Sequence, residues 1–129
     1  MSYPASHLDL LQTPPVVALS TITPKGAIQT TAVWYLLDDD GELRVSLSDG
    51  RRKFHHLRAN PTVNVFVVDP ANPFRTLEIR GTAEIAPDSD GALRDKVGRK
   101  YGADLTAFDQ PGETRWAITI RPDRVIPNG

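Results

Sequence analysis

From Leu43 to Ser48 the chain reads Leu-Arg-Val-Ser-Leu-Ser, an unbroken alternation entered through the acidic turn Asp38–Gly41. Alternation with a period of two puts Leu43, Val45 and Leu47 on one face of a strand and Arg44, Ser46 and Ser48 on the other. A Gly-ended acidic turn between two such runs returns the chain antiparallel to itself. The same grammar recurs. Val16–Ile22 is short and rich in β-branched residues, and Thr23–Gly26 is turn chemistry with Pro in second place. Ala27–Asp38 predicts one long strand whose two faces are both largely apolar, so both need a cover. Thr62–Asp69, Phe74–Ala86 and Arg115–Ile126 complete a set of six strands. In the fifth, Leu77, Ile79, Ala83 and Ile85 face inward, and Gly81 marks a bend or bulge. Helices are expected at His7–Gln12, ended by Pro14-Pro15, at Arg51–Asn60, and at Asp88–Gly102. Six strands linked mostly by hairpins, with two or three short helices, predict a mainly β protein: a small antiparallel barrel with helices at its ends.

The 129 residues are read as one domain, 1–129, able to bury a core of its own. A formal charge of −1 argues against nucleic acid as a partner, so any positive field is local. The absence of cysteine removes disulfides, thiolate metal sites and thiol nucleophiles. The N-terminal stretch lacks a basic segment followed by an apolar one, and no apolar run approaches the roughly 20 residues that span a bilayer. The expectation is a cytoplasmic protein with no membrane partner.

Phosphate loops of the G-x-x-x-x-G-K-[ST] and G-x-G-x-x-G types and a G-x-S-x-G elbow are all missing. His55 and His56 are adjacent, and on a helix their side chains diverge by about 100°, so no metal site is assigned. Asp38-Asp39-Asp40 lacks calcium-loop spacing and reads as a solvated turn. The feature that stands out is Arg51-Arg52-Lys53, directly after the small polar approach Ser46, Ser48 and Gly50. A helix start carries unpaired N–H groups and about half a positive charge, so cations there repel it. A phosphate would satisfy the N–H groups, a two-pronged arginine contact and a lysine contact together. The alternative is a solvated basic helix face that pairs with nearby acids.

The run "S-x-x-x-x-R-x-K" ending at Lys53, the junction "L-R-A-N-P-x-V" (Leu57–Val63), and "R-x-L-x-I-x-G-x-A-E" (Arg75–Glu84) occur in an order and spacing that resemble the pyridoxamine-phosphate-oxidase-like flavin and deazaflavin family. Within it the chain looks most like the small deazaflavin (F-420)-dependent oxidoreductases. The resemblance covers roughly residues 16–87, with a weaker echo in "WAITIRPDRV". It implies a split β-barrel of the FMN-binding-protein type, working as a homodimer with two cofactors at the subunit interface. It assigns the cofactor phosphate to Arg51 and Lys53, with Arg52 less securely placed. Ser46 and Leu47 match the strand end along the ribityl chain and ring, and Gln29, Thr30, Thr31 and Ala32 match the neighbouring strand at the ring edge. Phe74 corresponds to a loop aromatic near the ring, supplied by the second subunit; packing between subunits is the competing role.

The implied cofactor is the deazaflavin coenzyme F-420, with FMN as the alternative, and the implied reaction is hydride transfer to an unsaturated small molecule. Family members that oxidise pyridoxine phosphate carry a basic residue where Gln29 stands, a Gln where Thr76 stands, and a longer C-terminus, so that activity is not expected. No catalytic side chain is nominated, because the cofactor carries the chemistry. The proton comes from solvent, Tyr35 or a histidine. Trp34 and Tyr35 either line the substrate side of the ring or pack in the core. Arg58, Lys25 and Arg75 are candidates for the cofactor's anionic tail. An FMN-dependent oxidoreductase and a non-catalytic flavin or deazaflavin carrier remain the rival readings.

Overall fold

A computed structural model of the chain describes residues 3–129. Its strands are β1 (Val17–Ile22), β2 (Ile28–Val33), β3 (Leu36–Leu37), β4 (Leu43–Ser48), β5 (Thr62–Asp69), β6 (Asn72–Pro87) and β7 (Arg115–Asn128). Two α-helices, α1 (Arg52–Ala59) and α2 (Ala92–Tyr101), and two 3₁₀ segments, Ala5–Leu11 and Leu105–Phe108, complete the chain. None of these helices is long and apolar enough to cross a membrane.

All strands join one antiparallel sheet in the order β2-β1-β5-β6-β7-β4-β3. Its two outermost strands, β2 and β3, are consecutive in the chain and separated only by Trp34 and Tyr35. Three residue steps reach roughly 10 Å at most, so the sheet curls until its edges meet and forms a split β-barrel. Alternate residues fill the interior: Val17 and Leu19, Leu43 and Val45, Val63 and Val65, Leu77 and Ile79, Ile118 and Ile120 are all buried. Leu10 and Leu11 of the first 3₁₀ segment and Phe54 and Leu57 of α1 join the same core. Burying side chains of this size contributes about 1.5–3 kcal/mol each. A second cluster, Leu93, Val97 and Leu105, seats α2 against Trp34, Leu36 and Ala117.

The strands number seven rather than six, because the expected strand 27–38 is broken at Trp34–Tyr35. Tyr35 is fully buried, its hydroxyl donating to the Pro14 carbonyl. Its N–H donates to the Tyr101 hydroxyl (3.2 Å), and its carbonyl accepts from Lys100 Nζ (2.7 Å). The end of α2 thus supplies the hydrogen bonds that a neighbouring strand would otherwise make. Gly81 does sit at an irregularity, but the extra residue is Asp123 on β7: Arg80 pairs with Arg124 and Gly81 with Pro122. The bulge switches the inward face of β7 from Ile118 and Ile120 to Val125.

Candidate functional site

The turn after β4 is fixed before the cationic run begins. Ser48 Oγ donates to Glu113 Oε2 (2.6 Å), Asp49 N–H donates to the Thr114 carbonyl (3.0 Å), and Thr114 N–H donates to Asp49 Oδ1 (3.0 Å). Phe54 and Leu57 then pin α1 into the core. Arg51 occupies the N-cap position in extended backbone, and no side chain caps the helix. Ser, Thr, Asp or Asn would be the usual choice there. The start of α1 therefore presents N–H groups and three cations that no ion pair among the described residues engages, with the Glu113 carboxylate against Gly50 nearby.

Arg51 and Lys53 form one end of a cleft of about 320 Å³ between β2, β4 and the segment that follows α2. Ser46 and Ser48 also line it, together with Ala32, Trp34, Leu105, Phe108 and the core residues Val45 and Leu47. Among the described residues, ion pairs engage Arg44, Arg75, Arg80, Arg94, Lys96, Arg115 and Arg121, but not Arg51, Arg52 or Lys53. Burial, with the Arg51 charge alongside, holds the Lys53 ammonium below the ordinary lysine range. The hydrogen bond from Ser48 and the N–H of Gln110 hold the Glu113 carboxyl below the usual range, with Arg51 assisting. The cleft thus combines a cationic end, with the Glu113 carboxylate near Arg51, and apolar residues interspersed with Ser46, Ser48 and Arg115.

Of the residues singled out in the sequence, the fold gathers Ala32, Ser46, Leu47, Arg51 and Lys53 around this cleft. Gln29, Thr30 and Thr31 lie farther along β2 and do not line it. Thr30 instead exchanges a hydrogen bond with Ser20 (2.7 Å). Phe74, 83% exposed, stands at the β5–β6 hairpin, outside the cleft of its own chain. Trp34 lines the cleft, whereas Tyr35 belongs to the core. His55 is exposed, and His56 is buried with Nδ1 against Thr21 Oγ1 (3.0 Å). Arg75, a candidate for a cofactor tail, is held by Asp9 and Asp69. Arg58 lies over the Trp116 ring, 5.8 Å from its centroid.

Arg115 escaped the sequence reading. At the start of β7, opposite Ser48, it lines the cleft with its side chain 9% exposed. Its guanidinium pairs with Asp109 (2.7 Å) and donates to the Leu105 carbonyl (3.1 Å), so it ties the 3₁₀ segment to the barrel. Its only signal was position, an arginine opening the last strand, and the residues it joins lie up to ten positions away on a turn-rich loop.

The family model for pyridoxamine 5'-phosphate oxidase matches residues 4–128. A solved structure of an F-420 reductase is 37% identical, with a TM-score of 0.81 over 96% of this chain and 98% of its own. A conserved hypothetical protein from Mycobacterium tuberculosis is 25% identical, with a TM-score of 0.79 over 99% of this chain and 85% of its own. A heme storage protein from Vibrio cholerae shares the fold, with a TM-score of 0.76 at 17% identity over 100% of this chain and 96% of its own. No curated protein matches.

Proposed function

The chain belongs to the pyridoxamine 5'-phosphate oxidase family, and from that premise we propose that it is an oxidoreductase that binds coenzyme F-420 and delivers hydride to an unsaturated small molecule. The observation that carries this reading is the pair Arg51 and Lys53, engaged in no ion pair among the described residues, at a helix start without a side-chain cap and lining a cleft with Ser46, Ser48 and Arg115 beside apolar residues. The 37% identity to an F-420 reductase favours the deazaflavin over FMN.

In this reading the Arg51 guanidinium, the Lys53 ammonium and the first free N–H groups of α1 hold the cofactor phosphate. Ser46 and Leu47 line the path from phosphate to ring, and Ala32 borders the ring edge. Trp34, Leu105 and Phe108 keep water from the ring. When bound, the reduced deazaflavin supplies the hydride. Among the described residues no carboxyl or imidazole lines the cleft, and the reading takes water as the source of the accompanying proton. Titration of the purified protein with F-420 and FMN in parallel tests the assignment. Saturable, preferential uptake of F-420, followed by its oxidation when an acceptor is added, is the expected result. Uptake of neither coenzyme overturns it, tighter uptake of FMN moves it to the FMN-dependent alternative, and binding without oxidation against a panel of enones and quinones moves it to a carrier.

A second copy of the chain completes the proposed enzyme. Ala32, Ala18 and Phe66 form one row across the outer face of β2, β1 and β5, and Phe66, Val68, Ile28 and Phe74 are exposed. Ile28 is separated from that row by Thr30, Ser20 and Asn64, but the exposed Phe66, Val68 and Phe74 lie together near the row, and exposed apolar residues grouped in this way mark a protein contact. Phe66→Glu would bury a charge in that contact. It is expected to convert a dimer to monomer in sedimentation and to weaken cofactor binding at least tenfold. A dimer that survives the change refutes this surface.

A further inference from the structure

We infer that Tyr101 is a positioning residue for the cleft, acting through Trp34 rather than touching a ligand itself; the inference rests on the cleft being the cofactor site proposed above. Trp34 lies in the gap between β2 and β3, where no strand partner fixes it. Its indole stacks on the Tyr101 ring, with centroids 4.3 Å apart and planes within 4° of parallel. Phe108 meets the same indole edge-on at 6.3 Å. Trp34, Phe108 and Leu105 all line the cleft.

The platform beneath Trp34 is held at its far end. The Tyr101 hydroxyl donates to the Pro15 carbonyl (2.7 Å) and accepts from Tyr35 N–H (3.2 Å). Lys100, the preceding residue, donates to the Tyr35 carbonyl and sits 3.5 Å over the Tyr35 ring. Tyr101 is the last residue of α2, and Gly102, with φ at 65°, ends the helix in the left-handed region that glycine adopts without cost. The chain therefore spends a helix terminus, two backbone contacts and a lysine on keeping one aromatic ring still, and that ring's free neighbour is the cleft wall. A flat ring bound in the cleft meets a surface already in place, so little side-chain ordering is lost on binding.

The test labels both tryptophans with 5-fluorotryptophan, assigns the Trp34 signal in the ¹⁹F spectrum with Trp34→Phe, and titrates each protein with F-420 and FMN. Tyr101→Leu is expected to shift the Trp34 resonance, leave the Trp116 resonance in place, and weaken binding of the preferred coenzyme about tenfold. Tyr101→Phe, which keeps the stacked ring but loses the hydroxyl's contacts to Pro15 and Tyr35, is expected to fall between Tyr101→Leu and wild type, with a smaller shift of the Trp34 resonance and binding about threefold weaker than wild type. A purely structural role would lower thermal stability in Tyr101→Leu without moving the Trp34 signal or the affinity, and that result overturns the inference. If wild type binds neither coenzyme, the proposed function falls, and the Trp34 resonance alone decides whether Tyr101 holds the indole.

Discussion

Changing Arg51 and Lys53 together to alanine is expected to weaken F-420 binding by about 100- to 5,000-fold. A hydrogen bond to a charged group contributes about 1.5–3 kcal/mol, and each 1.4 kcal/mol is tenfold in affinity, so losing two gives that range after allowance for non-additivity. Neither side chain belongs to the core, so the variant keeps the thermal stability of the free protein. Arg124→Ala, which removes an exposed cation away from the cleft, is expected to change affinity less than twofold. The wild type adds a pH signature. Burial lowers the Lys53 pKa, and a bound anion favours the protonated amine. Affinity therefore falls as pH rises through that lowered pKa, before the ordinary lysine range, and Lys53→Arg flattens the profile. Normal binding by the double alanine variant removes the anion site, and with it the proposed function.

The largest effect on stability is expected at Gly81. A Cβ placed there runs into the carbonyl oxygen of Arg121 and crowds Pro122. Both are backbone of β7, so the obstruction cannot rotate away. Gly81→Ala forces the two longest strands apart at the bulge or pushes Asp123 out of it. A cost of about 3 kcal/mol is in line with overpacking of this kind, and for a chain of this length it lowers the melting temperature by roughly 10 °C. A thermal scan checks it; a shift under about 2 °C would show that β7 yields at no cost.

The hairpin strands were legible because their cause is local. Leu43–Ser48 alternates, its turn carries glycine, and nothing distant is needed to decide its conformation. The cationic run was legible for a similar reason, since its oddness lies in charges set against the adjacent helix start. Trp34–Tyr35 was not legible. Its composition suits an unbroken strand, and the break depends on hydrogen bonds from Lys100 and Tyr101, supplied by a different element. Arg115 and Phe108 were missed on the same grounds, because they reach the cleft only once α2 and the following 3₁₀ segment have packed on the barrel. At Gly81 the sequence marked the right place, but the inserted residue sits on the partner strand, where Asp123 looks like any polar surface residue.

The two-residue joint between β2 and β3 also bears on how the chain reaches this shape. In a flat ribbon the two edges of the sheet would lie roughly 29 Å apart, beyond the roughly 10 Å that the joint can reach, so the sheet has to curl while its pairings close. Docking β6 on β7 closes the segment 88–114, β1 on β5 closes 23–61, and β4 on β7 closes 49–114, the longest of the three. The kinetic barrier is therefore expected at the docking of β7, which closes both 49–114 and 88–114. Shortening the 88–114 connection should accelerate refolding, and an unchanged rate would place the barrier elsewhere.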